Sequence, residues 1–263
     1  MPANGRPVDG RKVPDGRKAP ADRDGSAVAL RSHRNGLVGR LLGEVIAARA
    51  ADAGRPTVLD CGGGSGTFAV PLARAGAAVT VVDISVDALA TLARRAAEAG
   101  VADLVTPVQG DAESLDDAGL GSFDLVLAHG ILEAVDRPDV AFAGIAARAA
   151  AGGVVSVLVD NPAASVLARA LAGELDAAAR ELDALDSPTP PIDLAHVRRL
   201  CAQAGLTVEQ VHGVGVFSDL VPGAALDLPG ARDALADLDA RCATRTPFAE
   251  IAGRVHVLAR RPG

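Results

Sequence analysis

A doubly wound α/β sheet of seven strands, mostly parallel, with an antiparallel edge hairpin and a helical insertion, is the fold this sequence predicts. Three observations carry that prediction. Between residues 57 and 161, five short Val/Leu/Ile-rich runs alternate with helix-length segments. Near-continuous apolar strands of this kind belong to a parallel sheet covered on both faces, with right-handed crossovers. The first run leads directly into VLDCGGGSGTF, which places glycines at 62, 63, 64 and 66. Two further apolar runs follow a long polar stretch near the C-terminus.

The elements follow in order. Residues 1–25 repeat DGRK and are rich in Pro, Gly, Asp and Arg. They bury too little apolar surface to order themselves and are expected to form a disordered tail. The remainder, 26–263, is expected to be one domain. Residues 35–52 read as an amphipathic helix with Leu37, Leu41, Leu42, Val45 and Ile46 on one face. TVLDC (57–61) is a buried strand, 62–66 a turn, and 67–75 the start of a helix. Strands are expected at 77–85, 104–111, 122–130 and 152–161, with helices at 86–99 and 137–150 between them. Residues 162–200 are polar and helical, interrupted by SPTPPID. The stretch 162–193 is read as an insertion near the ligand end, after which Asp193 caps a helix over 194–204. The last two strands, 206–217 and 252–261, are joined through a helix at 231–241 and make the antiparallel edge.

Composition narrows the function. Apolar residues make up 49% of the 263, enough for a large core, yet aromatics are 2%, with no Trp and no Tyr. Base stacking would fall to Phe217 or Phe248. The net charge is −7, and setting aside the +2 of the first 25 residues leaves −9 on the rest. That balance does not attract polyanions unless the charges are segregated, and Arg232, Arg241, Arg245 and Arg254 are the candidates for a local basic patch. Three scattered Cys and five His lack ligand spacing, so no metal is expected. No apolar run has membrane-spanning length and no signal-peptide pattern opens the chain, which reads as cytoplasmic.

The glycine turn indicates close approach of a ligand to backbone. It is not a dinucleotide fingerprint, because Thr67 stands where GxGxxG requires glycine. It is not a Walker loop, because no lysine follows Lys18. The spacing D-x-G-x-G-x-G after the strand resembles motif I of the class I S-adenosylmethionine-dependent methyltransferases, whose fold is Rossmann-like. VVDIS, QGDAESL, FDLVLAHGILEAVDRP and AAGGVVSVLV follow in the family's order. The resemblance implies S-adenosyl-L-methionine as cofactor. It implies that Gly62 and Gly63 line the amino-acid end, that Asp83 holds the ribose diol, and that Asp111, Ala112 and Glu113 meet the adenine. A carboxylate can accept both hydrogen bonds of a diol. Capping the following helix is the competing role for Asp83, and capping the next turn is that for Asp111.

AHGILEAVDRP, GVGVFSDL and the terminal LDARCATRTPFAEIAGRVHVLARRP are similar to the bacterial tRNA 5-carboxymethoxyuridine methyltransferases. That likeness implies methyl transfer to a carboxylate on a wobble uridine. It also implies Arg34 at the cofactor's methionine carboxylate and a cofactor contact from His129. No catalytic residue is assigned, since a carboxylate acceptor needs no base. His129 is the candidate base if the acceptor is protonated, and Glu133 reads as a helix-surface acid. The acidic insertion AGELDAAARELDALDSPTP is out of keeping with a tRNA face. A small carboxylic or phenolic metabolite is therefore the alternative acceptor.

Overall fold

The computed structural model describes residues 23–218 and 220–263, without the side chains of 23–34, 52–53 and 116–118. Most of the expected tail therefore lies outside the described residues. Its last three positions open helix α1 (Arg23–Ala53), which begins well before the expected 35. Apolar spacing marks only the part of α1 that packs on the sheet. There Val38, Leu42 and Ile46 repeat every fourth residue and are all but inaccessible.

The strands are β1 (Thr57–Cys61), β2 (Ala78–Asp83), β3 (Val105–Gln109), β4 (Phe123–His129), β5 (Ala149–Asp160), β6 (Thr207–Val214) and β7 (Arg254–Arg260). Between and after them run α2 (Ala69–Arg74), α3 (Val86–Glu98), α4 (Pro138–Ala147), α5 (Pro162–Leu171), α6 (Leu175–Leu185), α7 (Leu194–Gln203) and α8 (Ala231–Cys242). One seven-stranded sheet results, in the order β3-β2-β1-β4-β5-β7-β6. All neighbours from β3 to β5 are parallel. β7 is antiparallel to both β5 and β6. The doubly wound, mostly parallel sheet with an antiparallel edge is thus what the chain forms. The last strand enters between β5 and β6 rather than adding outside them.

Local chemistry sets the element ends. Ser85 caps α3 by accepting from the Ala88 N–H, Asn161 caps α5 through Ala163, and Asp193 caps α7 through His196. Pro138 opens α4 at a position that needs no N–H. The expected helix to residue 150 stops at Ala147, because Ala149 and Ala150 already belong to β5. The expected 162–193 insertion contains the helix pair α5 and α6.

Each face of the sheet carries its own core. Alternating residues of β5 and β7 divide between the two: Val155, Val157 and Val257 pack with α4 and α7, while Leu158 and Leu258 pack toward α1. At the amino ends of the central strands, Asp124 pairs with Arg49 and accepts from the Thr57 N–H at 2.9 Å, which ties α1, β1 and β4 together. The carboxyl ends are left for ligands. Strand order reverses between β1 and β4, and a crevice opens there.

Candidate functional site

β1 ends in two buried residues, Asp60 and Cys61, and the chain then turns sharply. The Gly62 N–H donates to the Val82 carbonyl at 2.7 Å, and the Gly66 N–H to the Gly63 carbonyl at 2.9 Å. Gly63 has no room for a side chain, since a Cβ there would lie 2.5 Å from the Asp60 carboxyl and 2.9 Å from Val81. Gly66 combines a φ of +81° with Leu92 Cδ1 at 2.3 Å from any added Cβ. The glycines thus press the turn against β2 and α3 and leave its outer backbone bare.

Asp83 closes β2 facing that turn. One carboxylate oxygen accepts from the Gly64 N–H and the other from the Ser85 N–H, each at 2.8 Å. Ser85, not Asp83, caps α3, so the competing structural role for Asp83 falls away. Each Asp83 oxygen keeps a further lone pair for a ligand. Asp111 does cap the next turn, accepting from the Glu113 N–H at 2.9 Å. The Glu113 carboxylate is bound by Arg137 through its backbone N–H at 2.8 Å and its Nε at 2.7 Å, and these bonds hold its pKa down. Gly62, Asp83, Asp111, Ala112, Glu113 and Ile131 line a cavity of about 240 Å³.

A second cavity, of about 290 Å³, shares Gly62 and continues past Gly63, Asn35, Phe68, His129 and Arg254. Phe68 meets the His129 ring edge-on at a centroid distance of 4.6 Å. His129 Nε2 lies 2.8 Å from Ser156 Oγ, while its Nδ1 is shielded and has no hydrogen-bond partner among the described residues. Burial, followed by the charges of His256 and Arg254, pushes the His129 pKa well below the ordinary imidazole value. Asp60, at the floor, is raised to about 7 by burial and then by the neighbouring Asp83 charge. Arg34 lies on α1, but its side chain falls outside the described residues, and with it the expected contact to the methionine carboxylate.

Glu133 and Arg254 connect this cavity to a third, of about 490 Å³. Its walls come from α5, α6, the loop between α6 and α7 and the segment after β6, among them Ala164, Leu167, Ile192 and Leu220. Glu133 is not on a helix surface as expected. It sits in the turn after β4 and accepts from the Asp160 N–H at 2.8 Å. Arg254 Nη2 donates to Asn35 Oδ1 at 3.2 Å. Arg169 joins Glu174 and Glu181 at 2.6 and 3.0 Å, so part of the insertion's acidity is neutralised within it. Arg241 pairs with Asp237 on α8 at 3.5 Å. Phe217 and Phe248 lie against each other with centroids 5.9 Å apart.

Sequence reasoning brought Gly62, Gly63, Asp83, Asp111, Ala112, Glu113 and His129 to the crevice, and the structure gathers them there. It missed Asn35 and Phe68, which nothing in their local sequence marks.

Residues 58–153 match the methyltransferase domain family. The tRNA 5-carboxymethoxyuridine methyltransferase of Escherichia coli is 30% identical over 213 residues, 78% of this chain and 80% of that protein. This chain belongs to the class I S-adenosylmethionine-dependent methyltransferases. A ubiquinone biosynthesis O-methyltransferase of Caulobacter vibrioides is 38% identical over 127 residues, 48% of this chain and 49% of that protein. The methyltransferase fold extends beyond the region matched in sequence. Magnesium protoporphyrin IX methyltransferase from Synechocystis PCC 6803 superposes with a TM-score of 0.57 at 15% identity, over 92% of this chain and 90% of that one. The cofactor of this methyltransferase is S-adenosylmethionine. A bare glycine backbone, a carboxylate with spare lone pairs and an orphaned buried imidazole nitrogen suit its amino-acid and ribose groups. Among the described residues no group of three or more His, Cys, Asp or Glu is arranged to hold a metal. No helix among them is long and apolar enough to cross a membrane.

Proposed function

We propose that this methyltransferase esterifies a carboxylate, and that the carboxylate belongs to a modified wobble uridine of tRNA. The observation that carries the carboxylate is Arg254, which borders both the cavity beside Gly63 and the larger cavity beyond it. A guanidinium fork matches a carboxylate in geometry and charge. On this reading Asp83 holds the ribose diol, and Gly62 and Gly63 the amino-acid end. Asp111, Ala112 and the backbone of Glu113 border the adenine, and Arg34 reaches the methionine carboxylate. The sulfonium supplies an already activated methyl group. The chain's task is then to hold the acceptor oxygen in line with it, a placement that contributes up to ~7–11 kcal/mol. An ionised carboxylate needs no base. His129, held neutral and of low basicity, fits that reaction better than one requiring proton removal from a phenol.

Two features bear on the acceptor. The likeness to the tRNA enzyme runs through most of both chains, which supports the uridine. The apolar walls given by α5 and α6 favour a second reading, a small carboxylic or phenolic metabolite. Methyl incorporation from labelled S-adenosylmethionine into bulk tRNA of the source organism separates them. Label that is lost in mild alkali is the expected result. Alkali-stable label would replace the ester with another acceptor atom. Unlabelled tRNA, with cofactor binding intact, would transfer the assignment to small metabolites.

Arg254→Ala is expected to raise the acceptor KM by roughly tenfold to a hundredfold, the loss of a charged hydrogen bond. The S-adenosylmethionine Kd from calorimetry should change much less. Equal losses in both would place Arg254 with the cofactor.

A further inference from the structure

Four neighbouring strands contribute a polar row to the α1-facing side of the sheet. It runs from His129 on β4 through Ser156 on β5 and His256 on β7 to His212 on β6. Ser156 Oγ lies 2.8 Å from His129 Nε2 and 2.8 Å from His256 Nε2. Ser156 and His256 are fully inaccessible. The His256 and His212 rings stack with centroids 5.7 Å apart. Nδ1 of His129, His212 and His256 finds no hydrogen-bond partner among the described residues.

One hydroxyl between two imidazole nitrogens has three proton arrangements. If both rings donate to Ser156, the serine proton is stranded in the core. If His129 donates and Ser156 passes its proton to His256, then His256 carries its own proton on Nδ1, stranded as well. If His256 donates and Ser156 donates onward to His129, the remaining proton sits on His129 Nδ1. Only this last arrangement puts the unpartnered proton on a ring that borders a cavity, since His129 lines the one beside Gly63 while Ser156 and His256 are enclosed, and it leaves just an unfilled lone pair on His256. Buried orphan donors are rarer than buried orphan acceptors.

We infer that Ser156 and His256 are positioning residues that fix His129 as its Nδ1–H tautomer, so that His129 offers a hydrogen-bond donor to a carboxylate in the cavity beside Gly63. The inference rests on the reading of that cavity as the amino-acid end of the cofactor site, where His129 and Arg254 both stand. The charged and titratable neighbours of the row are Arg254 at one end, where Asp60, Glu133 and Asp160 line the same cavity as His129, and Glu44 of α1 beside His212 at the other. Burial keeps all three imidazoles less basic than usual, which the relay requires, since an imidazolium would donate from both nitrogens. The carboxylate has two sources, the cofactor's amino-acid group or the methyl acceptor.

The test is the tautomer itself, read from long-range ¹H–¹⁵N correlations of the full chain labelled with ¹⁵N-histidine at neutral pH. His129 is expected to be protonated on Nδ1 and His256 on Nε2. Ser156→Ala is expected to release His129 toward the Nε2–H form and to cost about tenfold in binding, while Ser156→Thr, which keeps the hydroxyl, restores both. A loss in S-adenosylmethionine Kd assigns the donor to the cofactor carboxylate, and a loss in acceptor KM assigns it to the acceptor. An Nε2–H His129 in the unsubstituted protein, or a tautomer and affinities unmoved by Ser156→Ala, would overturn the inference. Such a failure would leave the cavity assignment standing, because Arg254→Ala tests it separately through the split between S-adenosylmethionine Kd and acceptor KM.

Discussion

Asp83→Ala is expected to weaken S-adenosylmethionine binding by roughly a hundredfold or more. Two losses combine. The ribose diol loses a charged acceptor, and hydrogen bonds to charged groups contribute about 1.5–3 kcal/mol each. The glycine turn also loses its anchor, because the Gly64 N–H donates to the same carboxylate. The second loss makes the variant informative beyond the ribose. Asp83→Asn keeps one oxygen for Gly64 but replaces the other acceptor with a donor. It should therefore hold the turn and still bind poorly. Calorimetry distinguishes the two roles. If Asn binds as tightly as Asp while Ala does not, the carboxylate serves the turn and the diol is held elsewhere. If neither substitution changes affinity, the ribose assignment is wrong. A side effect is expected at Asp60, whose pKa is raised in part by the Asp83 charge. Removing that charge should lower it.

The site was readable in the sequence where backbone makes it and obscure where strands meet. Glycines at 62, 63, 64 and 66 after a strand state a backbone requirement, and steric contacts at Gly63 and Gly66 show what that requirement is. The central strands were equally legible, because a strand buried on both faces must be apolar throughout. By the same logic Ser156 and His256 read only as polar interruptions in β5 and β7. Their meaning comes from register: β7 enters antiparallel beside β5, placing His256 opposite Leu158, and His129 is also opposite Leu158. No local pattern specifies a pairing between residues 100 apart in the chain. Glu133 was misplaced because a four-residue spacing from His129 suggests a helical turn, whereas the chain beyond Gly130 forms no helix before Pro138. The start of α1 at Arg23 escaped because apolar periodicity marks only the portion lying on the sheet.

The protein is expected to lose stability steeply on mild acidification, well before ordinary carboxylates titrate. His256 is lowered from 6.5 to about 3, chiefly by burial, and His129 and His212 are lowered as well. Below pH 6.5 the unfolded chain takes up protons at these histidines that the folded chain refuses, so stability falls as pH falls. Asp60 acts the other way. Its carboxyl is raised from 3.8 to about 7, so the folded state holds a proton that the unfolded state releases above 3.8. That offsets one histidine across the same range. Glu133, also raised, adds a smaller opposing contribution because its surface stays open. The lowered histidines outnumber Asp60, so the unfolded chain takes up the net excess of protons, and each such proton corresponds to about 1.4 kcal/mol per pH unit. Between pH 6.5 and pH 5 even a single net proton amounts to a large part of a marginal stability. Urea unfolding midpoints measured across that range provide the check. A midpoint that stays level or rises on acidification would mean that the histidine row is not buried neutral. A slope that disappears in His256→Gln would trace the acid sensitivity to the residue that, on the tautomer argument, also orients His129.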